Sequence, residues 1–226
     1  MRLPTLIGLA LAVLASATFL HAQHVSVVDT VHNLSAGGPG EIRALDETEV
    51  CKFCHIPHSS VVPEQLWAQR LSQSQYQVPE IRQGGLVEMS APQPDGSSRL
   101  CLSCHDGTVA LGDIGGRPRG IAMAGGERLS PGHKGYVGTD LSGSHPISFV
   151  VPDQDPDMMG ESSDMALRPL SAIKADPDVP IDNKGKMQCT TCHDPHTDRY
   201  YQKDVVPRFW VKPSVQEVCL TCHQVR

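Results

Sequence analysis

The chain has 226 residues, with 19 Lys and Arg against 25 Asp and Glu and a formal charge of −6. Its 20 Gly and 18 Pro, set against only four Phe, two Trp and four Tyr, exclude a long amphipathic bundle: there are too many helix breakers and too few large side chains to fill a core. The acidic balance argues against a nucleic-acid binder, and a single apolar run of spanning length excludes a polytopic membrane protein. Something other than side chains must supply the interior.

Arg2 is the only charge before His21, and Leu3 to Leu20 is almost wholly apolar. With small residues at Ala15-Ser16-Ala17 and Leu20-His21-Ala22, residues 1–22 read as a secretory signal peptide, cut after Ala22. The alternative is an uncleaved anchor, because the run lies near the lower limit for spanning. Between residues 59 and 100 the pattern predicts one modest helix, Pro63 to Leu71, with Leu66, Trp67 and Leu71 on one face. Pro94-Asp95-Gly96-Ser97 is a turn signature. Residues 106–188 are rich in Gly and Pro and weakly periodic, which predicts ordered coil. The acidic run Asp153 to Asp164 reads as a solvated loop. Phe209, Trp210 and Val211 are expected to cover whatever the last motif holds.

The eight cysteines decide the chemistry. They form four pairs with two residues between, and a His follows each pair: Cys51-Lys-Phe-Cys54-His55, Cys101-Leu-Ser-Cys104-His105, Cys189-Thr-Thr-Cys192-His193 and Cys219-Leu-Thr-Cys222-His223. C-x-x-C-H is the attachment motif of c-type haem. The two thiols form thioethers to one haem edge, and the next residue then lies under the porphyrin, where its imidazole reaches iron. Disulfides would be strained at this spacing, zinc knuckles need no His after every pair, and a thioredoxin-like reading wants one CxxC beside a βαβ unit. The sequence thus predicts four covalent c-type haems, with His55, His105, His193 and His223 as proximal ligands. Export fits, since this attachment occurs outside the cytoplasm. If each macrocycle buries ~400 Å² of apolar surface, it contributes on the order of 10 kcal/mol, so the haem-free chain is expected not to fold.

A repeat sorts the remaining histidines. Cys51 to His58 and Cys189 to His196 share the form CxxCHxPH, and the other two motifs share Cys-Leu-Ser/Thr-Cys-His, giving an A-B-A-B order that suggests an internal duplication. A spare His precedes each A motif, His32 and His145. Four irons therefore have four distal candidates: His32, His58, His145 and His196. His133 is the alternative to His145, and His24 to His32; Met158, Met159 and Met165 are read as packing or surface residues. Three residues span at most ~10 Å, too little to pass round a macrocycle edge. His58 is therefore not expected opposite His55, nor His196 opposite His193; each should ligate a neighbouring haem, with Pro57 and Pro195 stiffening the link. The resulting plan is a signal peptide at 1–22 and one tetrahaem domain at 23–226, with halves of about 23–120 and 121–226. Its fold class is few secondary structures: mostly coil, with short helices at the CxxCH sites and little sheet.

The stretches Glu47 to His58, Pro94 to Leu111, Asp140 to Phe149 and Gly185 to His196 resemble the paired-CxxCH multihaem cytochromes, and within them the OmcE-like tetrahaem cytochromes that polymerise into extracellular filaments. The resemblance implies bis-His haems stacked continuously through a filament, with one iron taking a His from the adjacent subunit. His32, on an amino-terminal arm, is the expected donor. The resulting expectation is a secreted electron-transfer protein, not an enzyme, self-assembling into a filament at or beyond the cell surface and passing electrons to partner proteins or external acceptors. No nucleic-acid partner is expected, and no membrane span after signal cleavage. The competing expectations are a soluble periplasmic carrier, a cytochrome subunit of a membrane redox complex, and a multihaem reductase, the last of which needs an iron with an open position.

Overall fold

The computed structural model describes residues 26–83, 86–153 and 165–225. The signal peptide, its cleavage site, His21, His24, Met158, Met159 and most of the acidic run lie outside the described residues. In chain order the elements are β1 (Arg43–Ala44), β2 (Glu80–Gln83), β3 (Leu86–Ser90), α1 (Gly96–His105), β4 (Met123–Ala124), β5 (Met165–Leu167), α2 (Leu170–Lys174), α3 (Cys189–Cys192), α4 (Val215–Cys222) and β6 (His223–Val225). Short 3-10 turns lie at Val27–Asp29, Val50–Phe53 and Pro63–Gln65. The strands form three separate antiparallel pairs, β1 with β4, β2 with β3 and β5 with β6. Among the described residues the chain is mostly coil, and a helix or 3-10 turn carries each cysteine pair, as the sequence predicts. No helix among them is long and apolar enough to cross a membrane.

The helices exist where local signals are strongest. Ser214 caps α4, its hydroxyl accepting from the Glu217 amide at 3.2 Å, which satisfies an otherwise orphaned donor at the helix start. Gln188 and Thr191 form a reciprocal capping box on the four-residue α3. The Pro94–Ser97 turn leads directly into α1, with Asp95 as its N-cap residue.

One expectation fails. Pro63 to Leu71 is not a helix: a 3-10 turn ends at Gln65, Leu66 takes a left-handed conformation at φ 52°, and Trp67 bridges to both His55 and Val62. The apolar spacing of Leu66, Trp67 and Leu71 mimics a helix face, but Leu66 and Trp67 are held by backbone pairing to His55 and Ile56 at the first cysteine motif.

Among the described residues the buried apolar side chains form separate clusters. One buried cluster joins Ala44, Phe53, Ala68, Ile114 and Ile121, a second Tyr76, Leu102 and Leu141, and a third Val179, Val211 and Val218. Each touches a CxxCH motif: Phe53 and Leu102 lie inside two of them, and Cys192 packs on the third cluster. Apolar side chains gather in small clusters beside the motifs.

Candidate haem-binding sites

The two A motifs fold as the same small unit. In the first, Ala68 N–H donates to Cys54 O at 2.8 Å and Ile56 N–H to Leu66 O at 2.8 Å. In the second, Val211 N–H donates to Cys192 O at 3.1 Å and Asp194 N–H to Phe209 O at 2.8 Å. Leu66 and Phe209 both have positive φ, 52° and 61°. Trp67 stands edge-on to His55 with ring centroids 6.1 Å apart, and Trp210 edge-on to His193 at 4.9 Å. The repeat thus extends past CxxCHxPH to a returning strand, Gln65-Leu66-Trp67-Ala68 and Arg208-Phe209-Trp210-Val211. Sequence reasoning missed this pairing, although the shared apolar-Trp-apolar step downstream of each A motif was its signal.

That strand presents a carbonyl to each proximal imidazole. His55 Nδ1 meets Gln65 O at 2.7 Å and His193 Nδ1 meets Arg208 O at 3.2 Å. In the B motif of α1, His105 Nδ1 meets Gly135 O at 2.6 Å. Gly135 sits at φ +88°, a conformation that strains any residue with a Cβ, and its backbone lies against the His105 ring. A carbonyl only accepts, so each Nδ1 carries the proton and each Nε2 keeps its lone pair for a metal. Such an outer partner fixes the tautomer and ring orientation of a ligating His. His223 opens β6 and is held by the backbone pairing of that strand with β5, opposite Leu167.

Three of the four distal candidates have acceptors of the same kind. His32 Nδ1 faces Pro195 O at 3.4 Å, His145 Nδ1 faces Pro146 O at 2.8 Å, and His196 Nδ1 faces the Asp194 carboxylate at 3.2 Å. Burial pushes His32 down to about 4, which keeps it in the neutral form that binds a metal. Its ring also stacks on Phe209, with centroids 4.1 Å apart. His133 differs. Its Nδ1 accepts from the Ser130 N–H at 3.1 Å, which directs its proton to Nε2 and argues against ligation through that atom. His58 is exposed, and its side chain has no hydrogen-bond partner among the described residues.

The structure brings three proximal–distal pairs together. Ring centroids are 6.3 Å apart for His55 and His196, 6.3 Å for His145 and His223, and 5.9 Å for His32 and His105. Two imidazoles whose nitrogens each lie about 2.0 Å from one metal would have centroids roughly 6.2 Å apart. The residues present therefore fit a six-coordinate haem iron between each pair. As the chain-length argument requires, His196 faces His55 and not His193. His32 faces His105 of its own chain, so the expected outward-reaching arm is overturned: the segment after residue 26 folds back over the second A motif, where Ser26 bridges Thr197. Among the described residues, no distal candidate stands opposite His193 in this way.

The thiols of all eight cysteines are free. Burial pushes Cys54 and Cys192 up to about 12 and Cys104 up to about 11, so they are neutral in unmodified form, and thioether formation removes their titration altogether. Trp67 Nε1 is buried and lacks an acceptor among the described residues, an orphan of the kind a haem carboxylate beside His55 would satisfy.

The family described as "Doubled CXXCH motif" matches residues 181–226, which hold the third and fourth motifs. No curated protein matches the chain. The cysteine pattern, the short helices that carry it and this match define the class: a multihaem c-type cytochrome, built for electron transfer, with haems attached through its CxxCH motifs.

Proposed function

We propose that the chain is exported, carries four haems, and works as the subunit of a head-to-tail conductive filament. The carrying observation is an unequal count. Three imidazole pairs close within one copy, while among the described residues no histidine stands opposite His193 and His58 is exposed and faces no proximal imidazole. His58 of one copy and His193 of the next complete a fourth site. That contact is heterologous, joining two different patches, so it repeats without self-limitation unless the rotation closes a ring. The haems supply reversible one-electron chemistry at iron. The chain holds each by two thioethers, fixes the imidazole tautomers through Gln65, Arg208, Gly135, Pro146 and Asp194, and seals the interior with its three apolar clusters.

Electron microscopy of the exported protein tests this. Fibres with a map in which His58 and His193 of successive copies share one iron are expected; monodisperse particles with His58 in solvent would refute the filament. The same unpartnered His193 also fits a second reading. An iron held by His193 alone would have the open position that a small-molecule reductase needs. Turnover of nitrite, hydroxylamine or a sulfur oxyanion by non-polymerised protein would favour that reading over the filament.

A further inference from the structure

The second and third motifs meet through a polar junction that haem ligation does not require. Gln188, immediately before Cys189, is 2% exposed. Its Oε1 accepts from Ser98 Oγ at 2.6 Å, from Ser148 Oγ at 3.2 Å and from Ser98 N–H at 3.4 Å. Its Nε2 donates to Asp95 at 3.1 Å and to Asp182 at 3.0 Å. Around it, Cys189 N–H donates to Ser98 Oγ at 3.0 Å, Ser97 Oγ and Thr190 Oγ1 lie 2.7 Å apart, and Lys186 pairs with Asp95. Gly96 leaves room for the amide: at φ +49°, an added Cβ would stand 2.8 Å from Nε2. Only a neutral amide satisfies both sides, since it accepts from two hydroxyls and donates to two carboxylates. A Glu would set a third negative charge against Asp95 and Asp182, and a Leu would leave the Ser98 and Ser148 hydroxyls buried without their acceptor.

We propose that Gln188 is a positioning residue for electron transfer: its buried amide clamps Cys101–His105 onto Cys189–His193 and so fixes the separation and tilt of the haems those two motifs carry. The inference rests on both motifs carrying haem. It assigns a purpose to Pro94-Asp95-Gly96-Ser97-Ser98, whose turn character alone gives it none. A buried amide and its two buried serines, all satisfied, hold one geometry, and haems joined through side chains this short move only as their motifs move.

The test uses the exported, haem-loaded protein and two variants, Gln188→Ala and Ser98→Ala. Neighbouring haems give a two-signed couplet in Soret circular dichroism that depends on their mutual distance and angle. With haem mass and low-spin signals unchanged, loss of couplet amplitude in both variants, greater for Gln188→Ala, supports the clamp. An unchanged couplet in variants that keep all their haem overturns it. If Gln188→Ala sheds haem, Ser98→Ala decides alone, because it removes one hydroxyl and leaves every cysteine and histidine in place. Absence of haem from the unsubstituted protein would sink the cytochrome reading itself, a different failure from an unchanged couplet.

Discussion

The two A motifs share backbone, tryptophan and carbonyl anchor, yet their fourth residues after the last cysteine meet different fates. His196 faces His55 within the chain; His58 stands exposed. The difference begins two residues earlier. Asp194 holds both His196 N–H, at 3.0 Å, and His196 Nδ1, at 3.2 Å, whereas the first motif has Ile56 there, with no acceptor to offer. The third residue of each pair differs too. Phe53 drives the first motif into an apolar cluster, while Thr191 ties the second to Gln188, its Oγ1 accepting from Gln188 N–H at 3.0 Å. Of two similar units, one has its second histidine tied by polar contacts and turned to His55, while the other has an exposed histidine without such a tether.

Removing the haems should erase the comparison entirely. A chain with all eight cysteines changed to Ser is expected to show no cooperative thermal transition by circular dichroism, because the three clusters are too small to replace macrocycles worth on the order of 10 kcal/mol each. A native-like melt would contradict it.

Next come the two histidines. His58→Ala is expected to abolish fibres in electron micrographs while leaving low-spin the three irons served by the intramolecular pairs. His196→Ala should add a high-spin iron, the one held by His55, to the electron-paramagnetic spectrum of the isolated subunit relative to the parent. Persistent fibres in the first variant would break the proposed asymmetry.

The anchors in the third position should separate by kind. Phe53→Ala, at a site 2% exposed, is expected to cost about 3–5 kcal/mol as a cavity. Thr191→Ala should cost about 1 kcal/mol through its lost hydrogen bond, both read from denaturant midpoints. Asp194→Ala removes the acceptor at His196 Nδ1 and should raise the potential of one iron in a spectroelectrochemical titration, since a less basic imidazole stabilises the ferric state less. An unchanged set of potentials would show that Asp194 has no hold on a ligand.

The smallest effect is at Glu47, just ahead of the first motif. The hydrogen bond from Lys52 holds its carboxyl below the ordinary carboxylate value. Its folded value is depressed, so its contribution is present above the unfolded value and lost as pH falls through the folded one. Melting temperature should therefore drop slightly more below about pH 4.5 in the parent than in Glu47→Gln.

How much could be read in advance follows from locality. Thiol, thiol and imidazole within five residues form a site that the backbone brings together by itself, so the cysteines and their histidines declare c-type haem without a fold. The rule that His196 must serve another motif came from chain length alone. The returning strands 65–68 and 208–211 were harder to see, because a left-handed residue and a backbone bridge leave no periodicity, and Leu66, Trp67 and Leu71 imitated a helix.

The sequence by itself determined the chemistry, the coil-rich fold class and the set of available imidazoles, because covalent attachment is written in adjacent residues. Only the tertiary structure decided which imidazoles face each other, that His32 folds back toward His105, and that Gln188 joins the second motif to the third. Those outcomes depend on contacts between segments up to 163 residues apart, such as His32 and Pro195. Their partners are chosen by the closing of the whole chain, and no local pattern encodes that choice.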